Sequence, residues 1–466
     1  MHQAVLHADL IELRLDHFSK RDPASLTNLL SKFSIPTIFT LRSKSQGGNY
    51  SGSEGDRLQE IKRLATCRPA YMDLEAHIPQ DYFEEFRAKF SEIKLIISHH
   101  DFKNTVENLD VIIEAMPKGT FYKVASMAHS TADTLRTMIA SKKYQNLISI
   151  SMGEAGEVSR ILAPSIGSIT YSCLDEKQAS ASGQIPVKRL TDIYRYKSIH
   201  PNIGIYGLIG NPITESVGHL THNAVMQAFN LDAVYVKMKV EPEELQTTLH
   251  LLKTLGFRGL SVTMPLKEVI LPHLDDIDAE AKAIGAVNTV LFDQGRLIGS
   301  NTDGIGALEC LGAVQGKKII LIGAGGAARA IIFEAIRRDA KVIVLNRTKD
   351  KALYLAKKFG CEGASLDFMH KYYKNSDDIL INCTAHQLPV EPNFIEGSLV
   401  MDITTNPKET LFLKSAQAAG CRIVYGYEMF VGQAVKQFET WFPAKIDKQK
   451  IYEILRYTAL QSLNSR

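Results

Sequence analysis

From residue 8 to about residue 190, the chain alternates short apolar runs with stretches of helical periodicity. The spacing predicts helices over segments such as DRLQEIKRLATC, DYFEEFRAKF and TADTLRTMIASKKY. Seven apolar runs have the composition of buried strands: ADLIELRL, PTIFTLR, AYMDLEA, IKLIISHH, TFYKVAS, NLISISM and SITYSC. Continuous apolar strands that alternate with helices are typical of a parallel sheet covered by helices. An array this regular predicts a (β/α)8-type barrel.

A second α/β pattern follows the stretch IYRYKSIHPNIG and includes a predicted hairpin, VNTVLFDQGRLIGSNTD. From Lys317 a third pattern, KKIILIGAGGAARAIIFEAI and then KVIVLNRT, predicts a Rossmann-like sheet. The last helices have no strands between them, so we expect them to pack back on the preceding domain. The predicted division is a barrel at 1–195, a linker at 196–204, an α/β domain at 205–310, a nucleotide-binding domain at 311–427 and C-terminal helices at 428–466.

The net charge, the cysteine pattern and the lengths of the apolar runs exclude some classes of function. A formal net charge of +3 over 466 residues gives no basic stripe, so we expect no nucleic-acid partner. The six cysteines are scattered without a CxxC pair, which favours buried thiols in a reducing compartment and no metal site. The sequence has neither a signal-like start nor an 18-residue apolar run, and we therefore expect a cytoplasmic protein with no membrane partner. It leaves the oligomeric state open.

The glycine-rich loop after KKIILI is the candidate dinucleotide site. Glycines at this position allow a tight turn and a close backbone approach to a pyrophosphate at a helix N-terminus. The loop contributes Gly323, Gly325, Gly326 and Ala327. A helix-start turn of any doubly wound sheet is the alternative. The next strand ends in Asn346, Arg347 and Thr348 instead of an acidic residue, which favours the 2′-phosphate of NADP(H) over the 2′-hydroxyl of NAD.

Charged and polar residues recur where the predicted barrel strands end, which is where chemistry sits in such barrels. They are Glu12, Arg14, Asp16, Arg42, Asp73, Glu75, His99, His100 and Lys123, and the apolar Met152 ends a further run. A lone lysine or histidine at such a place is more often structural. Their joint occurrence at successive strand ends indicates a site.

With the motifs ELRLD, FTLR, DLE, HHDF, YKVA, SMG…SR and SASGQ, residues 8–192 resemble type I 3-dehydroquinate dehydratase. The resemblance implies that Lys123 forms a Schiff base with the ketone of 3-dehydroquinate and that His100 takes the C2 proton. It implies that Arg160 holds the substrate carboxylate. The other substrate-binding residues it implies are Glu12, Arg14, Arg42, Met152, Ser180 and Gln184. The family normally has Glu where this chain has Gln46.

With VTMPLKE, GAVNT and SNTDG, residues 204–466 resemble shikimate dehydrogenase. The resemblance makes 205–310 the substrate-binding domain and 311–427 the NADP domain. It implies that Lys267 and Asp303 are the catalytic pair, which moves the proton at the substrate oxygen. Implied substrate-binding residues are Ser216, Thr263, Asn288, Thr302 and Gln433, and implied cofactor contacts are Asn382 and Thr384. Departures from the family pattern are Gly218, Ser261 and Thr405.

Together the two resemblances predict a bifunctional enzyme of the shikimate pathway, with 3-dehydroquinate, 3-dehydroshikimate and shikimate as its small-molecule partners. Two alternatives remain: only the dehydrogenase half is fully active, or both halves sense ligands without turnover. In the dehydratase family the Glu-x-Arg-x-Asp motif lies on the second strand. We therefore expect strand one to lie upstream of residue 1. We further expect seven parallel strands, with a gap between the strand at Glu12 and the one near Tyr171.

Overall fold

The computed structural model describes residues 2–373, 377–392, 395, 399–443 and 447–465. The chain forms two compact units, residues 1–203 and residues 204–466. Each unit has its own sheets and its own hydrophobic core.

The first unit is built on a curled sheet of six parallel strands that lie side by side in chain order. The strands are β1 Ile11–Arg14, β2 Thr37–Thr40, β3 Tyr71–Glu75, β4 Lys94–Asp101, β5 Phe121–Met127 and β6 Leu147–Met152. The helices are α1 His2–Val5, α2 Pro23–Leu30, α3 Glu54–Ala65, α4 Gln80–Lys89, α5 Leu109–Ala115, α6 Thr131–Ser141, α7 Glu157–Ile161 and α8 Val187–Asp192. The expected alternation of parallel strands and helices is confirmed.

Side chains alternate between the two faces of this sheet, as the pleat requires. On one face, residues such as Phe39, Leu74 and Ile97 share a core with Phe83 and Phe86 of α4. A smaller apolar cluster lies on the inner face of the curl and comprises Ile38, Ile96, Ala125, Ile148, Ile150 and Met152. This cluster is much smaller than the core on the other face, and the remaining positions of the inner face can carry polar side chains.

The prediction of a seventh strand at SITYSC is wrong. Within the described residues this segment forms only an isolated bridge, between Cys173 and Pro186. Serine hydroxyls occupy the edge of β6 where the strand was expected. Ser168 Oγ accepts a hydrogen bond from the backbone nitrogen of Ser149 (3.4 Å) and donates to the carbonyl of Leu147 (3.0 Å). Ser159 Oγ accepts one from the backbone nitrogen of Ser151 (3.3 Å).

The second unit begins with a mixed sheet in the order β10-β12-β11-β9-β7-β8. Its strands are β7 Gly204–Gly210, β8 Ala233–Lys239, β9 Phe257–Val262, β10 Asp276–Ile277, β11 Thr289–Asp293 and β12 Arg296–Ser300. The predicted hairpin is present as the antiparallel pair β11 and β12. Its two turn residues, Gln294 and Gly295, both have positive φ, the conformation that a two-residue hairpin turn favours.

A second sheet of this unit is parallel and has the order β15-β14-β13-β16-β17-β18. Its strands are β13 Lys318–Ile322, β14 Lys341–Asn346, β15 Glu362–Ser365, β16 Ile379–Asn382, β17 Leu399–Asp402 and β18 Arg422–Val424. This is the doubly wound dinucleotide-binding order, in which the order of the strands across the sheet reverses between β13 and β16. A crevice for a ligand forms at the carboxyl ends of those two strands.

The helices of this unit are α9 Gly218–Ala228, α10 Leu245–Leu255, α11 Leu266–Val269, α12 Ala279–Ile284, α13 Asp303–Leu311, α14 Gly326–Arg337, α15 Lys349–Phe359, α16 Met369–Tyr372, α17 Leu411–Ala418, α18 Gly426–Trp441 and α19 Lys448–Asn464. Helix α18 contributes Phe438 and Trp441 to a core shared with Tyr206 and Tyr235. Among the described residues, no helix is both long enough and apolar enough to cross a membrane.

Candidate active sites

The inner face of the half-barrel collects every residue predicted for the first site. Side chains at alternate positions of a strand share a face, so Glu12 and Arg14 of β1, His100 of β4 and Lys123 of β5 all point inward. One cavity is lined by all nine predicted residues: Glu12, Arg14, Arg42, His100, Lys123, Met152, Arg160, Ser180 and Gln184. The cavity therefore brings the predicted first site together in one place.

Lys123 is the buried cation at the centre of this face, with 4% of its surface exposed. Its ammonium forms an ion pair with the carboxylate of Asp73. The Glu12 carboxylate lies 4.0 Å away, and the Tyr171 ring centroid lies 4.7 Å from Nζ. Burial would raise the pKa of the Asp73 carboxyl, but the charges of Arg42 and Lys123 outweigh burial and hold that pKa well below its ordinary range.

Several polar contacts hold the side chain of Arg42 in place. Its guanidinium contacts Asp73 Oδ1 (2.8 Å), Ser98 Oγ (2.7 Å) and Glu75 Oε1 (3.7 Å). Glu75 is held in turn by Arg57, whose Nη1 lies 2.7 Å from Glu75 Oε2. Each of these buried charges has an opposite charge beside it, and this pairing offsets the cost of removing the charges from water.

His100 lies between two neighbours that set its orientation. The Gln46 side-chain oxygen is 3.3 Å from His100 Nδ1 and 3.2 Å from its backbone nitrogen. The Phe102 ring stacks on the imidazole with centroids 5.9 Å apart. Burial, together with the charges of Arg42 and Lys123, holds the pKa of His100 well below its ordinary value of 6.5. The imidazole is therefore neutral near pH 7 and can accept a proton.

Arg160 is buried without an acidic partner among the described residues. Its Nη atoms donate to the carbonyls of Tyr171 (3.5 Å) and Ser182 (3.2 Å), and its Nε has no partner. Burial lowers the pKa of Arg160 to about 10. A buried guanidinium with a free N–H is suited to a carboxylate ligand. Beside it, the Gln184 side-chain oxygen accepts hydrogen bonds from the nitrogen and hydroxyl of Ser180.

Sequence reasoning missed several lining residues of this cavity: Gly47, Phe102, Ala125, Ile150, Tyr171 and Ala181. Ala125 and Ile150 lie at inward-facing alternate positions of their strands, so the period of two could have identified them.

Arg14 binds Asp16 through two hydrogen bonds of 2.9 and 2.8 Å. The cavity thus brings together a lysine ammonium held by Asp73, a neutral imidazole and a guanidinium that has no acidic partner among the described residues.

In the second unit, five predicted residues form one hydrogen-bonded cluster. Lys267 Nζ lies 2.5 Å from Asp303 Oδ2. The Asn288 side-chain nitrogen lies 2.8 Å from Asp303 Oδ1, 2.9 Å from Thr302 Oγ1 and 3.2 Å from Gln433 Oε1. Helix α13 begins at Asp303, and the α13 contacts with α18 bring Gln433 to the same place. The cluster presents an ammonium oriented by a carboxylate.

Ser216 and Thr263 follow the ends of β7 and β9, which are paired strands. Ser216 Oγ accepts a hydrogen bond from the Gly218 nitrogen (3.1 Å). No hydrogen bond in the described structure joins either residue to the cluster around Asp303. They lie at the same end of the sheet, where the predicted carboxylate- and hydroxyl-binding groups would be needed.

The glycine-rich loop runs from the end of β13 to the N-terminus of α14. Gly323 has φ +115°, and a Cβ there would lie 3.0 Å from Thr384 Cγ2. Apart from its two chain neighbours, no described residue has a heavy atom within 4 Å of a Cβ placed at Gly325. Asn382 ends β16, and its side-chain oxygen accepts hydrogen bonds from the nitrogen and hydroxyl of Thr384. The loop and these two residues therefore border the crevice between β13 and β16.

Asn346 ends β14, and its side-chain nitrogen donates to the carbonyl of Thr348 (2.9 Å). Arg347 is exposed between them. Ala327 follows Gly326 in the first turn of α14. The predicted cofactor residues thus occupy the ends of the neighbouring strands β13, β14 and β16. An open backbone at a helix N-terminus next to an exposed guanidinium fits a dinucleotide with an additional phosphate.

Sequence reasoning did not predict the buried layer behind the Asp303 cluster, although it named one of its residues, Ser261, as a departure from the family pattern. The layer is formed by Tyr235, Ser261, Thr289 and Gln437. The four-residue spacing of Gln433 and Gln437 on one helix face is the signal that could have indicated it.

The chain matches four families in order along its length. They are described as Type I 3-dehydroquinase (residues 1–201), Shikimate dehydrogenase substrate binding domain (208–290), Shikimate / quinate 5-dehydrogenase (306–413) and Shikimate 5'-dehydrogenase C-terminal domain (426–456). A crystal structure of shikimate 5-dehydrogenase from Thermus thermophilus, solved with NADP(H) and shikimate, is 32% identical. The match covers 55% of this chain and 100% of that one, with a TM-score of 0.50.

Two curated relatives match across almost the whole chain. The "Bifunctional 3-dehydroquinate dehydratase/shikimate dehydrogenase, chloroplastic" of Arabidopsis thaliana is 33% identical over 97% of this chain and 80% of that protein. The "Shikimate biosynthesis protein AroDE" of Chlamydia pneumoniae is 34% identical over 93% of this chain and 90% of that protein. The chain therefore belongs to the family of bifunctional 3-dehydroquinate dehydratase/shikimate dehydrogenases.

Proposed function

We propose that the chain catalyses two consecutive reactions, the dehydration of 3-dehydroquinate to 3-dehydroshikimate and the reduction of 3-dehydroshikimate to shikimate with NADPH. The observation that carries the proposal is the cavity of the first unit, which is lined by Lys123, by a neutral His100 and by Arg160, whose Nε has no hydrogen-bond partner among the described residues. A ligand sensor has no need of a nucleophile and a base in one cavity. Family membership supports both activities.

In the dehydratase, Lys123 acts as the nucleophile. Its amine, after losing a proton, attacks the substrate ketone, and loss of water leaves a protonated Schiff base. The iminium withdraws electrons from the neighbouring carbon, so His100 can remove a proton there. The electron pair then expels the β-hydroxyl, which leaves as water after receiving a proton. Hydrolysis of the new Schiff base restores Lys123.

The other cavity residues position the substrate. The free N–H of Arg160 pairs with the substrate carboxylate. The hydrogen-bonding groups of Ser180 and Gln184 face the substrate hydroxyls. Glu12, Arg14, Arg42 and Met152 complete the wall. Gln46, placed against His100 Nδ1, keeps the other imidazole nitrogen available as the base when Nδ1 carries the proton.

In the dehydrogenase, Lys267 gives a proton to the oxygen of the reduced ketone, and Asp303 keeps the ammonium charged and oriented. Asn288, Thr302 and Gln433, with Ser216 and Thr263 at the end of the same sheet, bind the substrate hydroxyls and carboxylate.

NADPH fits the crevice between β13 and β16. When bound, it supplies the hydride that reduces the ketone. The backbone at Gly323, Gly325, Gly326 and Ala327 would hold the pyrophosphate at the N-terminus of α14. Arg347, with Asn346 and Thr348, would bind the 2′-phosphate, and Asn382 and Thr384 would border the nicotinamide.

We extend the proposal to organisation and location. Residues 205–310 act as the substrate-binding domain, 311–427 as the NADP domain and 428–466 as helices that complete the first of these. The contacts of α19 with α9, and of α18 with β9 and β11, support this division. We place the enzyme in the cytoplasm, in keeping with the biosynthetic role that the name of the Chlamydia pneumoniae relative states.

The experiment supplies purified enzyme with 3-dehydroquinate and NADPH and follows the loss of NADPH absorbance. Loss requires both activities in sequence. Two control reactions separate them: 3-dehydroquinate alone tests for the conjugated product, and 3-dehydroshikimate with NADPH tests for the reduction.

Lys123→Ala and Lys267→Ala are the matched variants. Lys123→Ala should abolish only the first reaction and Lys267→Ala only the second. Absence of both control reactions in the wild-type enzyme would refute the proposal. Turnover in the second control alone would identify the dehydrogenase as the sole activity.

A further inference from the structure

A chain of buried hydrogen bonds extends from the dehydrogenase core to the catalytic carboxylate. The Tyr235 hydroxyl donates to Ser261 Oγ (2.8 Å), and Ser261 donates to Gln437 Oε1 (2.9 Å). Gln437 Nε2 donates to Thr289 Oγ1 (3.0 Å), and Thr289 donates to Asn288 Oδ1 (2.8 Å). The Asn288 side-chain nitrogen then donates to Asp303 Oδ1, as described above. The chain is continuous over all five bonds.

All these bonds run in one direction, and the chemistry of the groups fixes that direction. Gln437 Nε2 also donates to the backbone carbonyl of Asn288 (3.1 Å), which can only accept. The Gln437 amide therefore has one orientation. A hydroxyl has a single hydrogen, so Thr289, which accepts from Gln437, has its own hydrogen free for Asn288 Oδ1. The backbone nitrogen of Thr302 donates to the same oxygen (2.9 Å).

The orientation of the Asn288 amide matters because its two ends are not equivalent. With the oxygen held by Thr289 and Thr302, the nitrogen points at Asp303 Oδ1 and leaves Oδ2 to Lys267. A reversed amide would place an oxygen against the carboxylate and repel it. Thr289 and Gln437 are 0% and 1% exposed, and they contact the Asn288 side from which its oxygen is held, away from Asp303 and Lys267.

We propose that Thr289 and Gln437 are positioning residues of the dehydrogenase, which orient the Asn288 amide and through it the Lys267–Asp303 pair. The inference rests on the proposed function. It assigns a role to a layer that contacts neither substrate nor cofactor. Ser261 and Tyr235 belong to the same layer, because they fix the acceptor end of Gln437.

The test compares Thr289→Val, which removes the hydroxyl, with Thr289→Ser, which keeps it. We expect Thr289→Val to lower kcat/KM for shikimate oxidation about fivefold to tenfold, the size of effect of one buried hydrogen bond. Thr289→Ser should stay within about twofold of the wild type. Gln437→Met, which keeps the shape and removes the amide, should resemble Thr289→Val. Dehydratase turnover of each variant serves as the internal control for enzyme concentration, and the fluorescence of Trp441, which lies in a core of the second unit, serves as the control for folding of that unit.

A double-mutant cycle separates positioning from a general structural effect. In an Asn288→Ala background, Thr289→Val should cause no further loss, because the amide that it orients is gone. Losses that multiply in the double variant, or equal activities of Thr289→Val and Thr289→Ser, would overturn the inference.

Failure of the proposed function can be distinguished from failure of this inference, because without the proposed function the wild-type enzyme would oxidise no shikimate. If Thr289→Val does not fold, Gln437→Met in the same Asn288→Ala background provides the cycle.

Discussion

The aliphatic chain of Lys267 passes directly over Gly326. A Cβ atom at position 326 would lie 3.2 Å from Lys267 Cβ and 3.3 Å from Lys267 Cδ. The loop proposed to bind the cofactor and the lysine proposed as proton donor therefore lie side by side, through the backbone of Gly326 and the methylene groups of Lys267. A side chain at position 326 would therefore press on Lys267, which would have to shift by a few tenths of an ångström.

The first prediction follows from that contact. Gly326→Ala should displace the Lys267 ammonium and lower kcat of the dehydrogenase about tenfold or more, since small displacements of a reacting group are costly. Gly325→Ala is the matched control because, in the part of the chain that the structure describes, only its chain neighbours lie within 4 Å of the added Cβ. It should act on the cofactor instead and raise KM for NADPH. Steady-state kinetics of both variants check this, and a kcat unchanged by Gly326→Ala would contradict it.

The second prediction concerns the nucleophile of the dehydratase. Borohydride added together with 3-dehydroquinate should reduce the Schiff base and leave a stable adduct on Lys123, detectable by peptide mass spectrometry. Lys123→Arg should remain unlabelled. An adduct on a different lysine would show that the proposed mechanism is wrong.

The third prediction concerns the pH dependence of the dehydratase. His100 must be neutral to accept a proton, and burial with Arg42 and Lys123 holds its pKa well below 6.5. The acid limb of kcat/KM should therefore lie well below pH 6.5. Gln46→Glu places a carboxylate against His100 Nδ1, which should raise this pKa and move the limb to higher pH. A wild-type limb at or above pH 6.5 would be inconsistent with this environment.

The fourth prediction concerns cofactor choice. Arg347→Ala should weaken NADP binding by about 1.5–3 kcal/mol, the contribution of a charge-assisted bond to a phosphate. Affinity for NAD, which lacks that phosphate, should change little. Isothermal titration with both nucleotides measures the difference, and equal NAD and NADP affinities in the wild-type enzyme would refute the role of Arg347.

The fifth prediction concerns the acid stability of the dehydrogenase unit. Both ring nitrogens of His222 face oxygen atoms, yet burial prevails and lowers its pKa to about 4. The unfolded residue titrates near 6.5, so the unfolded chain binds the proton first as the pH falls. Between pH 7 and pH 5 this residue should decrease the free energy of unfolding by about 2 kcal/mol.

Trp441, the single tryptophan of the sequence, lies in the same aromatic cluster as His222, with ring centroids 6.0 Å apart. Its fluorescence during urea unfolding therefore follows this unit. His222→Gln should remove most of the pH dependence attributed to the histidine. An identical pH slope in the variant and the wild type would show that His222 does not cause it.

Features that repeat along the chain could be predicted from the sequence alone. Strand period placed Glu12, Arg42, His100 and Lys123 on one face, and parallel strands then brought them to one end. Features that depend on which distant side chains come into contact after folding could not be predicted from the sequence. The hydroxyls of Ser168 and Ser159 replaced an expected strand. Gln437 reached Thr289 from 148 positions away. Periodicity carries no information about such pairs.

The serine hydroxyls along β6 have a consequence for the behaviour of the enzyme at high concentration. A sheet edge with free amide and carbonyl groups can recruit the edge of another molecule. Here the backbone nitrogens of Ser149 and Ser151 already donate to hydroxyls, and the carbonyl of Leu147 already accepts from one. These groups cannot be used for pairing by a foreign strand without breaking bonds within the same molecule. The edge of β6 is thereby protected against intermolecular sheet growth.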